Sequence, residues 1–227
     1  MKYLQKLAGI SAIFEALIYI VAFTYFAAFW SFPSAGSSTE KMTYLAENQL
    51  IFSTIYFLMY VVFGVLLAVL VIGLHEKLKH TKNPAIAIGS LFGAIWVGLV
   101  IASGMISNIG LAYAIDLMDA SPEKAFDVWT IVSLITESLG GGNELVGGLW
   151  VLLVSVTALQ ARVFSQTLNY LGLLVGVAGI ATIYPDDTLT EIFGVTQIGW
   201  FIWLGICLLT QENANKSSQP TANASAD

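Results

Sequence analysis

Along the chain, apolar residues come in long unbroken blocks, and polar residues gather in short clusters between them. Six blocks stand out, at residues 7–30, 50–74, 84–114, 143–159, 168–183 and 192–209. About 20 helical residues cross a hydrocarbon core, so blocks of this length predict membrane-spanning helices. The fourth and fifth are the shortest. The two-residue alternation of a membrane β-barrel is missing. The pattern predicts an all-α integral membrane protein with six transmembrane helices, residues 1–210 forming one bundle. Residues 211–227, rich in Asn, Ser and Ala, have nothing to bury and read as a disordered cytoplasmic tail.

The pattern breaks ahead of the fourth span. Ser121-Pro122-Glu123 is a helix start, with Ser as N-cap and Pro in the first helical position. The helix it opens runs to about Leu139, but its continuous apolar part is too short to span. Gly140-Gly141-Gly142 follows. Three glycines cost about 3 kcal/mol of helix propensity against alanine, so the helix should stop or kink there. Asn143-Glu144 then opens the span. This predicts an extra outer interfacial or re-entrant helix with Trp129 as its interfacial anchor, a glycine elbow, and the fourth span. Transporters use such breaks to bind substrates and ions. A plain turn between an interfacial helix and a span has the same sequence.

Composition narrows the function classes. The chain is 57% hydrophobic and 11% charged, where globular domains carry about a quarter charged residues. There is no basic face for nucleic acid. Cys207 is the only cysteine, which excludes a disulfide framework. One Cys and two His cannot close a conventional zinc site, so no metal is expected. His75 and His80, about 140° apart around a helix, read as solvated among lysines. The spans hold no lysine for a Schiff base and no histidine pair for haem, and the chain lacks a phosphate-binding loop and a nucleophile elbow. No cofactor is expected, and with no catalytic motif the chain leans away from an enzyme.

Charge sets the orientation. Lys2, Lys6, Lys77, Lys79, Lys82, Arg162 and Lys216 fall on one side of the six blocks, and Lys41 and Lys124 on the other. Lysine and arginine stay inside, so both termini are expected to be cytoplasmic. Lys2 and Lys6 resemble the basic start of a signal peptide, but Glu15 interrupts a long apolar run, which reads as a retained anchor. The opposite loops carry Glu40, Glu47, Asp116, Asp119, Glu123, Asp127, Asp186, Asp187 and Glu191. They form either a cation-attracting vestibule or simply what the inside preference of lysine leaves for outer loops.

Three acids lie within or against the apolar blocks: Glu15, Glu137 and Glu144. A carboxylate in hydrocarbon costs several kcal/mol, and such groups face a bundle interior. No embedded Lys or Arg neutralises them, which favours protonated acids or cation ligands over fixed ion pairs. Were the helix continuous through the glycines, Glu137, Gly141, Glu144, Gly148 and Ser155 would share one stripe. Ser11, Glu15, Tyr19 and Ala22 make a comparable stripe on the first helix. Asn143, Asn108 on the third helix and Gln197 on the sixth add amides, so a polar site bounded by helices one, three, four and six is the candidate. Glu15 lies about 12 Å above the inner end of its helix and Glu144 about 22 Å above its own, so a relay between them needs hydroxyls or water. The alternative is that each acid is a protonated interhelical hydrogen-bond donor. Gly89 and Gly93 on the third helix, with Gly172, Gly176 and Gly179 on the fifth, form small-residue faces for close helix packing.

Two stretches resemble a known family. They are Leu7-Ala8-Gly9-Ile10-Ser11, and the run from Gly147-Gly148-Leu149-Trp150 through Leu171-Gly172-Leu173 to Gly176-Val177-Ala178-Gly179-Ile180. They are similar to the bacterial membrane family designated DUF4386, a domain of unknown function. This chain has Phe164-Ser165-Gln166 where that family commonly has Pro-Arg. The resemblance implies a six-helix bundle of bacterial origin, and no activity. The expectation is a multi-pass protein of the bacterial cytoplasmic (inner) membrane whose buried glutamates serve proton- or cation-linked transport, working in the lipid bilayer as a homo-oligomer or with a membrane protein partner. The alternative is a non-catalytic subunit or assembly partner of a larger complex.

Overall fold

The computed structural model describes residues 2–141, 144–184 and 186–217, and every regular element among them is helical. Helix α1 (Lys2–Ala28) is followed by the short α2 (Ser38–Glu47). Helix α3 (Gln49–Tyr56) widens into a π-helical turn, Phe57–Val62, and continues as α4 (Phe63–Leu78). Then come α5 (Pro84–Leu117), α6 (Pro122–Thr136), a second wide turn at Glu137–Gly141, α7 (Leu145–Gln160), α8 (Gln166–Ala181) and α9 (Asp187–Ser217). The last helix therefore enters the stretch assigned by composition to the tail, and 218–227 lie outside the described residues.

Among the described residues, five helical stretches are long and apolar enough to cross a membrane: Tyr3–Ala28, Gln49–Thr81, Pro84–Leu117, Pro122–Gln160 and Thr188–Thr210. The fourth contains the break, and α8 is a shorter apolar helix of 16 residues, about 24 Å long. Leu17, Val65, Ile88, Leu174, Val195 and Ile206 stand exposed on five different helices. Such an apolar surface is a liability in water and the natural one in lipid. The chain is an all-α multi-pass membrane protein.

Helix α1 packs against α4 and α9, and α5 against α4, α6 and α7, while α7 pairs with α8. The α7–α8 contact is backbone on backbone. A Cβ at Gly148 would lie 2.7 Å from the Gly179 carbonyl carbon, and one at Gly176 would lie 2.8 Å from the Leu152 nitrogen. Gly172 faces Ser155 and Trp200, Gly89 faces Leu153, and Gly93 faces Val71 and Trp150. Around this contact runs an aromatic chain: Phe63–Trp96, Trp96–Trp150 and Trp150–Trp200 have ring centroids 5.7, 5.8 and 5.7 Å apart.

Helix α5 has 34 residues, about 51 Å, against a hydrocarbon core of about 30 Å. Its far end joins α2 and α6 in a second core of Met42, Leu45, Phe52, Leu111, Ala114, Ala125 and Trp129. Trp129 is thus buried beside Phe52, ring centroids 5.6 Å apart, and is not the interfacial anchor expected from sequence. The reason is that α2 packs on α6 and that α2 and α3 bring Met42, Leu45 and Phe52 into the same core. A capping box opens α2: the Ser37 N–H donates to Glu40 Oε2 at 2.7 Å, and the Glu40 N–H donates to Ser37 Oγ at 3.3 Å. The bonds from Ser37 hold the Glu40 carboxyl below its ordinary range. Since the folded value lies below the unfolded one, this support is present above about pH 4.3 and fades as pH falls through the folded value.

Charge divides the two ends. Gln5 Nε2 donates to the Gly73 carbonyl at 2.8 Å and Asn83 Nδ2 to Gln160 Oε1 at 2.7 Å, which gathers Lys6, Lys77, Lys79, Lys82 and Arg162 at one end. The α2–α6 cap at the other end carries Glu40, Glu47, Glu123 and Asp127. His75, expected to be solvated, is instead half-buried between α4 and α5, its Nδ1 2.8 Å from Ser90 Oγ.

Gly148→Ala should lower the thermal midpoint in detergent micelles, costing about 1–3 kcal/mol of overpacking because backbone cannot yield. At Gly98 an added Cβ meets nothing within 4 Å. Gly98→Ala should raise stability by up to about 1 kcal/mol through helix propensity. Equal midpoints for the two variants would contradict the α7–α8 contact.

Candidate functional site

The interruption before α7 builds the site. At Gly140 the backbone leaves helical geometry (φ 163°, ψ 21°), and α7 begins again with Glu144 as its N-cap residue. In hydrocarbon the groups freed by a break must find partners inside the protein. They do so from two helices. The Ser103 hydroxyl of α5 is shared, donating to the Leu99 carbonyl of its own helix at 3.0 Å and to the Thr136 carbonyl at 3.2 Å. The Glu144 N–H donates to Thr182 Oγ1 at 2.7 Å, and that hydroxyl donates in turn to the Gly179 carbonyl at 2.7 Å. These bonds fix the position of Glu144.

The Glu144 side chain, 7% exposed, lines a cavity of about 220 Å³. The cavity is bounded by Ile18, Tyr19, Ala22 and Phe23 of α1, by Met59 and Tyr60 of the π-helical turn, by Phe63, Val100 and Gly140, and by Phe193 and Gly194 of α9. Tyr60 points inward because the turn is widened, and its backbone fits into the space opposite Gly104, where a Cβ would fall 2.6 Å from Tyr60 Cβ. Among the described residues Glu144 Oε2 has no hydrogen-bond partner. Trp96 is the donor that approaches this carboxyl. Its Nε1 is likewise without a closed hydrogen bond. Gly147 makes that approach possible, since a Cβ there would lie 2.6 Å from the indole.

Glu15 is fully buried, and among the described residues both its carboxyl oxygens lack partners. It does not line the cavity. Tyr19, one turn along α1, does, and it lies within electrostatic reach of Glu144, Glu15 and Tyr60. Its ring stands edge-on to Phe63 at 5.5 Å. Tyr19 thus stands one turn from Glu15 on α1 and lines the cavity together with Glu144.

The remaining candidates scatter. Glu137 is exposed on the far side of the break, within electrostatic reach of Tyr56 and Tyr60. Because the helix does not run through Gly140, Glu137 and Glu144 do not share a continuous stripe. Gln197 is fully buried on the core face of α9, both amide atoms without a partner among the described residues, but it does not line the cavity. Asn108 is half-buried further along α5, also away from it. Asn143 lies outside the described residues. Among the described residues no group of three His, Cys, Asp or Glu is arranged to hold a metal ion. Sequence reasoning passed over Tyr60, Trp96, Thr182 and Ser103. A hydroxyl or indole inside an otherwise apolar block was the signal that marked them.

Compared with models of known families, with curated proteins and with solved structures, the chain finds no match.

Thr182→Ala should cost about 1–3 kcal/mol, the penalty for leaving the buried Glu144 N–H without an acceptor. Thr182→Ser should restore most of it. Thermal unfolding of the pair checks this, and an unchanged midpoint in Thr182→Ala would mean the bond does not hold the break.

Proposed function

We propose that the protein has six spans with both termini on the cytoplasmic side of a bacterial inner membrane, and that it carries out proton- or cation-linked transport through Glu144 and Glu15. The observation that carries the reading is the Glu144 carboxyl oxygen, buried, unpartnered and opening on a cavity, with Tyr19 in electrostatic reach of both acids. Membrane-embedded carboxyls of this kind mark ion and proton pathways. A discontinuous helix beside the site is the arrangement transporters use to place such groups. The orientation is supported by the basic end gathered around Gln5–Gly73 and Asn83–Gln160. For the sixth span, α8 has the apolar length of a helix that leans on its neighbour and crosses most of the core.

The test is flux in proteoliposomes under an imposed pH gradient, followed with an entrapped pH dye. Wild type should dissipate the gradient. Glu144→Gln should reduce the rate at least about tenfold, and Glu15→Gln should reduce it measurably, with both variants folded. A wild-type rate equal to that of protein-free vesicles defeats proton movement. Variants that keep full flux but lose thermal stability make the acids structural hydrogen-bond donors.

A further inference from the structure

The cavity has a shape and chemistry that narrow what it takes. Its wall is mostly aromatic and aliphatic, with Phe23, Phe26, Phe63 and Phe193 presenting ring surface and Tyr19 and Tyr60 adding phenols. Among the described lining residues Glu144 is the one carboxylate, and no Lys, Arg or His joins it. An anion would find no positive partner in this low-dielectric site. A hard metal cation needs six or more oxygen ligands, which this lining does not offer. A cation with an apolar body satisfies both parts: aromatic faces attract the charge, and the carboxyl neutralises it. The volume sets the size. An engineered cavity of about 150 Å³ takes benzene, so about 220 Å³ has room for roughly nine or ten non-hydrogen atoms.

We propose that the cavity between α1, the π-helical turn, Glu144 and the start of α9 binds a small monovalent organic cation, its apolar body against the phenylalanine wall and its charged head at Glu144. This deepens the transport reading by naming the class of cation, and it rests on that reading for what becomes of the ligand. The cavity also lies close to lipid. Ile18, Ala22 and Met59 line it on one side, and on the other they line an apolar groove between α1 and the α3–α4 helix with Phe14, Leu17 and Leu58. An amphipathic cation dissolved in the bilayer reaches the site past these three side chains.

The experiment is isothermal titration of the full-length protein in detergent micelles with phenyltrimethylammonium, using benzenesulfonate as the anion of like size. Wild type should bind the cation saturably and leave the anion unbound. Glu144→Gln should weaken binding at least about tenfold, equivalent to 1.4 kcal/mol. Ala22→Phe, which keeps the carboxyl but fills the cavity, should weaken it comparably, and Glu144→Asp should retain it. Each variant is checked for an intact thermal transition, and the wild-type titration decides even where a variant fails to fold. No saturable binding to wild type, equal binding of the anion, or equal affinity in Glu144→Gln overturns the inference. Proton flux without cation binding leaves transport standing and removes this ligand class. Cation binding without flux keeps the site and removes transport.

Discussion

Inside hydrocarbon a helix can stop only where something else answers its loose amides and carbonyls, because no water is there to do it. The whole arrangement around Glu144 depends on this requirement. The Glu144 N–H is taken up by Thr182 at the end of α8, and on the other side of the interruption the Thr136 carbonyl shares the Ser103 hydroxyl of α5 with the Leu99 carbonyl. The Thr182 bond that answers the break also fixes the start of α7, where the carboxyl stands. A site and its support are here one feature.

Close approach of backbones supplies the rest. Gly148, Gly176 and Gly179 bring α7 and α8 together without side chains between them, and Gly147 lets Trp96 rest on α7 beside Glu144. The aromatic chain through Phe63, Trp96, Trp150 and Trp200 fills the space that remains. Association of helices in lipid has no hydrophobic drive of its own, so dense contact of this kind does the holding. It leaves one open volume on the far side of Glu144, where α1, the π-helical turn and α9 meet.

What was legible in the sequence was local. The start of α6 at Ser121-Pro122 needs only neighbouring residues, and Ser121 Oγ accepts from the Lys124 N–H as a cap should. The interruption at the glycines is local too. Trp129 misled because its burial comes from the core it shares with Met42, Leu45 and Phe52, a distant part of the chain, and side-chain type alone cannot report that. The π-helical turn left no trace, since Phe57-Leu58-Met59-Tyr60-Val61-Val62 is as apolar as its flanks, and its fit depends on Gly104 across the interface. Glu15 and Glu144 could be singled out from their chemistry, but the phenol that lines the cavity with Glu144 and the indole that approaches its carboxyl required the packing of several helices.

The π-helical turn also constrains how this chain can change. It contains one residue more than an α-helical turn would hold, with the Phe63 N–H bonded to the Leu58 carbonyl five positions back. Removing one residue there would restore an ordinary helix and swing everything on one side of it by about 100°. Tyr60 would leave the cavity, and the buried face of α4, with Leu67, Leu70 and Leu74, would turn toward lipid. Insertions and deletions in this segment are therefore phase errors, whereas substitutions that keep its length are read only by their immediate neighbours. The length of this stretch, more than its spelling, is what descent has to preserve.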